Sequence, residues 1–77
     1  MNIYIVHYLD YSQINTVGAF DSFDKAYNAI IETEERNILP KIDKISSTEW
    51  EVYFVEDEEN ISANYIVEML PLNKRLE

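Results

Sequence analysis

The sequence predicts an α+β fold: two layers, a mainly antiparallel sheet of about four strands and one amphipathic helix, in the order ββαββ. Two observations predict it. Short runs rich in β-branched and aromatic residues occur at Ile3–Leu9, Ile14–Phe20, Thr48–Glu56 and Ile61–Leu70, as strands require. The single segment with a helical period lies between the second and third of them.

Along Ile3–Leu9, Ile3, Ile5, His7 and Leu9 alternate with Tyr4, Val6 and Tyr8, so both faces are apolar and an interior strand is expected. Ile14–Phe20 follows a polar turn as the second half of a hairpin and holds the only glycine, Gly18, which suggests a bulge or a close approach of another backbone. Ser22 is placed to cap a helix whose apolar residues Phe23, Ala26, Tyr27, Ile30 and Ile31 form one stripe. Asp24, Asn28, Glu32 and Glu35 face away from that stripe, and Arg36 suits the helix C-terminus. Pro40 stops the helix, and Asn37–Ser47 reads as a connector with at most a short helical turn. In the third strand Trp50, Val52 and Phe54 oppose Glu49, Glu51, Tyr53 and Val55, and in the last Ala63, Tyr65, Val67 and Met69 share a face before Pro71.

The chain has 77 residues, which allows one domain, read as residues 1–72 with a polar tail at 73–77. Its hydrophobic fraction of 47% is too high for a disordered acidic segment. No cysteine is present, which excludes disulfides, thiolate metal sites and cysteine nucleophiles. The N-terminal residues lack the basic flank and apolar run of a secretory signal, no span is long enough to cross a bilayer, and a cytoplasmic protein is expected. A net charge of −9 opposes binding to anionic lipid or nucleic acid.

His7 is the only imidazole and lies inside a strand, where packing explains it better than catalysis. No serine sits in a nucleophile elbow, and one glycine cannot form a phosphate loop. A non-enzymatic protein without cofactor or metal is expected. Glu56, Asp57, Glu58 and Glu59 lack the alternating ligands and turn glycine of a calcium loop, and read as a solvated hairpin tip.

The charges are unevenly distributed. Glu49, Glu51, Glu56, Asp57, Glu58 and Glu59 fall in one stretch without a cation, whereas Arg36, Lys41 and Lys44 cluster before it. Glu49 and Glu51, two apart on a strand, project to one side about 6.6 to 6.8 Å apart, close to every second phosphate of a DNA strand at about 3.4 Å spacing. Such a display can imitate a nucleic-acid backbone, or serve only to keep the surface solvated. One helix covers only one face of the sheet, so the second needs a cover, and a homodimer is expected. Tyr4, Tyr8, Tyr53 and Tyr65 are candidates for an aromatic interface.

The segment Ile3-Tyr4-Ile5-Val6-His7-Tyr8 followed by Gly18 to Ile30, with its Gly-x-Phe-x-Ser entry into an alanine-bearing helix, resembles small phage and bacterial ββα-type domains. With size and acidity, the resemblance implies a phage or mobile-element accessory protein that binds and blocks a host protein. The expected function is then inhibition of a host defence enzyme, of anti-CRISPR or anti-restriction type, by an acidic surface placed in a basic nucleic-acid-binding groove. The alternative is a homo-oligomeric binder of an anionic nucleotide, held by Arg36, Lys41 and Lys44.

Overall fold

The computed structural model describes residues 2–10, 13–35, 37–57 and 60–71, with the side chains of 56, 57 and 60 outside the description. The elements are β1 (Asn2–Asp10), β2 (Gln13–Phe20), α1 (Phe23–Glu34), β3 (Lys41–Ser46), β4 (Glu49–Asp57) and β5 (Asn60–Pro71). They form one five-stranded sheet in the order β2-β1-β5-β4-β3, and every neighbouring pair is antiparallel.

The expected four-stranded ββαββ arrangement is corrected to ββαβββ by β3, which forms from residues read as connector. The physical reason is a register shift between Lys44 and Ser46, where Ile45 has no partner on β4. The extra residue sets the apolar Ile42 and Ile45 three apart, a helical spacing, although both belong to a strand. A two-residue turn at Ser47 and Thr48 then leads into β4, with the Thr48 amide donating to Ser46 Oγ at 3.2 Å.

The helix begins as its sequence demands. Ser22 is the N-cap and accepts from the Lys25 amide at 3.2 Å, and an exposed Lys25–Asp21 ion pair at 2.9 Å adds little. The helix ends on Glu35, which adopts the left-handed conformation at φ 51 and donates its amide to the Ile31 carbonyl at 3.0 Å. Arg36, expected to complement the dipole there, lies outside the described residues.

Ala26 and Ile30 are fully buried against Val6, Val52, Phe54, Ala63, Tyr65 and Val67 of the sheet. Phe23, Tyr27, Tyr4, Tyr8, Trp50 and Phe20 pack around this core. Phe23 meets the Tyr4 ring edge-on at 6.3 Å and Trp50 at 5.1 Å. Tyr65 is 1% exposed, lies against Tyr8 with the rings tilted and their centroids 5.0 Å apart, and donates its hydroxyl to Glu34. The bulge expected at Gly18 is present beside it, where Val17 has no partner on β1, while the room that Gly18 leaves is taken by a side chain rather than another backbone: a Cβ there would lie 3.2 Å from Cζ of Phe20.

Candidate protein-binding surface

The helix lies on one side of the sheet, and the strand alternation sends the other residues to an open face. Register places them in rows across the strands. Asp43, Glu51, Ile66 and His7 form one row from β3 to β1, and Glu49, Glu68 and Ile5 form the next. Lys41, Tyr53, Asn64 and Leu9 make a third, and Leu70 opposite Ile3 a fourth. The face therefore has an aliphatic side on β1 and β5 and an acidic side on β4 and β3, with Glu68 where they meet.

The electrostatics of the acidic side are unfavourable in isolation. Glu49 lies directly opposite Glu68, and Asp43 directly opposite Glu51, so two like-charged pairs face each other at the short distance of cross-strand neighbours, which destabilises a sheet. Two of the four carboxylates have polar neighbours: Asp43 accepts the Tyr53 hydroxyl at 2.9 Å, and Glu68 lies 3.4 Å from His7 Nε2. Among the described residues Glu49 and Glu51 form no ion pair. The Tyr53 phenol is held above its ordinary value, first by its hydrogen bond to Asp43, then by desolvation and the charges of Asp43 and Glu51.

His7 is half-buried on this face, with Nδ1 3.4 Å from the Thr16 hydroxyl and Nε2 toward Glu68. Both ring nitrogens thus have partners on neighbouring strands, the geometry of a packed and oriented histidine. No group of three or more His, Asp or Glu side chains among the described residues is arranged to hold a metal ion.

The sequence-derived candidates are partly brought together. Glu49 and Glu51 share the open face as their spacing requires. Glu56 and Asp57 belong to β4 but their side chains lie outside the description, as do Glu58 and Glu59 altogether. Tyr4, Tyr8, Tyr53 and Tyr65 do not form one surface: Tyr65 is buried, Tyr4 and Tyr8 pack on the helix side, and Tyr53 alone is on the open face. Lys41 and Lys44 do not converge, because Lys41 pairs with Tyr53 on the open face while Lys44 reaches over Trp50 on the other, 5.7 Å from its ring centroid. Arg36 lies outside the described residues.

Two members of the acidic side were missing from the sequence candidates. Glu68 carried a signal, since it shares parity with Ile66 and interrupts an apolar strand with a charge. Asp43 carried none until β3 was recognised as a strand. A cleft of about 240 Å³ between the ends of β1 and β5, lined in part by Leu9, Asp10, Ile61 and Asn64, is smaller than the roughly 300 to 1,000 Å³ of small-molecule sites. Among the described residues no helix is long and apolar enough to cross a membrane. Comparison with protein-family models, with curated proteins and with solved structures finds no match.

Proposed function

We propose that this chain is a non-catalytic binding protein that sets the open face of its sheet against a basic surface of another protein, and that the surface it occupies is a nucleic-acid-binding groove. The observation that supports this reading is the gathering of Asp43, Glu49, Glu51 and Glu68 on the face that no described element covers, in two directly opposed like-charged pairs. An arrangement that costs the isolated domain stability is relieved when Lys and Arg side chains of a partner enter between the carboxylates. Ile3, Ile5, Leu9 and Ile66 beside them supply an apolar anchor, so affinity does not rest on charge alone. Blocking a host defence enzyme of anti-CRISPR or anti-restriction type is the role that the phage-like N-terminal segment suggests for such a surface. The nucleotide-binding alternative receives less support, because Lys41 and Lys44 lie on opposite sides of their strand.

The test is competition. Host proteins retained on immobilised chain at low salt are challenged with duplex DNA and with rising salt, and the same elution is run with Glu49→Gln/Glu51→Gln/Glu68→Gln. Retention of nucleic-acid-binding proteins that DNA displaces and that the triple variant fails to hold is the expected result. Retention indifferent to DNA, to salt and to the three substitutions overturns the reading.

A further inference from the structure

The sheet has two edges, and the chain treats them differently. At β3, Pro40 precedes the strand, Lys41, Asp43 and Lys44 occupy half of its six residues, and the register breaks before Ser46. A short strand, lysine, proline and a bulge are the devices by which proteins keep an edge from pairing with another chain. At β2 most of them are missing. Gln13–Phe20 is eight residues long with no charged residue and no proline, and two aliphatic side chains stand in solvent, Ile14 at 70% and Val17 at 41% exposure. Its one irregularity leaves Val17 out of the pairing with β1, while Gln13, Ile14, Asn15 and Thr16 run in unbroken register. Phe20 packs against the core near the helix, which fixes the strand, and among the described residues β2 has no strand neighbour on its outer side.

We propose that β2 is the edge through which two copies of this chain join, strand against antiparallel strand, into one continuous sheet. Charge selects the occupant. The chain carries −9, and two copies meeting by the acidic side of the open face would press Asp43, Glu49, Glu51 and Glu68 against their own duplicates. Along β2 the approaching strands bring no charge at all, so this edge lets two such acidic molecules come into contact without that repulsion. A two-fold axis perpendicular to the sheet makes the contact self-complementary, adds main-chain hydrogen bonds on both sides, and covers Ile14 and Val17. It also leaves both open faces on the same side of the joined sheet. The inference does not depend on the function proposed above, because it uses none of the acidic residues as contacts.

Sedimentation equilibrium up to about 100 µM, a range that resolves micromolar association, tests it. The wild-type chain is expected to be a dimer, and Ile14→Lys/Val17→Lys is expected to weaken association at least tenfold, while the matching change at the guarded edge, Ile45→Lys, has no effect. Circular dichroism verifies that the variants keep their strand signal, and Ile14→Lys alone replaces the double variant if that one does not fold. A monomer at every concentration overturns the inference. So does a dimer that ignores Ile14→Lys, including one dispersed by Ile45→Lys or formed only with a different protein.

Discussion

Tyr53 shows how one side chain links the open face to pH. Its hydroxyl donates to Asp43 at 2.9 Å, and its phenol pKa lies above the ordinary value of 10.0. The folded state therefore keeps this proton to higher pH than the unfolded chain does. The stability the bond contributes is fully present below about pH 10 and is lost as pH rises through the folded value. Asp43→Asn removes the carboxylate that holds the proton, and should bring the Tyr53 titration back toward its ordinary value, read from its ring carbon shift in an NMR titration. An unchanged midpoint would assign the shift to something other than Asp43. At this scale the sequence was a partial guide: six tyrosines pointed to wet edges or interfaces, yet Tyr65 satisfies its hydroxyl inside the fold, on a glutamate of the helix 31 positions earlier. Nothing local in either segment announces that partnership.

Among the elements, α1 was the most legible, because its stripe and N-cap are local signals, although it ends at Glu34, before the Pro40 expected to stop it. Ala26 and Ile30 at its centre have no solvent exposure, and Ile30→Asp should abolish the cooperative melt by placing an unpaired charge in the core; a variant that still unfolds cooperatively would contradict this packing. The helix stop is less well matched to its residue. Glu35 takes the left-handed conformation, which glycine adopts without a Cβ penalty, and Glu35→Gly should raise stability by about 1 kcal/mol in chemical denaturation. A loss of stability would mean that the side chain of Glu35 has a role at the helix end. β3 was the least legible element. Its extra residue breaks the period of two on which strand recognition depends, and the partner that makes it a strand, β4, comes after it in the chain. The same dependence hid Asp43 from the acidic surface, while Glu49 and Glu51 were found because two residues of one strand need no partner to share a face.

For the whole molecule, the main consequence of the register is that acids far apart in sequence become neighbours. Asp43, Glu51, Glu49 and Glu68 come from three strands, and their mutual repulsion should be visible in the stability of the free domain. Glu49→Gln and Glu51→Gln are each expected to stabilise it by about 0.2 to 1 kcal/mol. Added salt should raise the melting temperature of the wild type more than that of the double variant, since screening relieves the same repulsion. A double variant less stable than wild type, with unaltered salt dependence, would show that these carboxylates make compensating contacts in the folded state. Strand order was beyond the reach of the sequence, because the alternation that identifies a strand does not name its neighbours.

The order β2-β1-β5-β4-β3 puts the strand made last in the middle of the sheet, paired with the strand made first. During synthesis the two hairpins β1–β2 and β3–β4 can form early, but they have no common border until Asn60–Pro71 has emerged between them. The core is then assembled by contacts such as Val6 with Val67, 61 positions apart, rather than grown from one end. Such distant pairing slows the search for the native state, toward the millisecond-to-second range of domains dominated by non-local contacts. A nascent chain stalled short of Ile66 should accordingly remain protease-sensitive, and its completion should convert the whole domain to a resistant form in a single step.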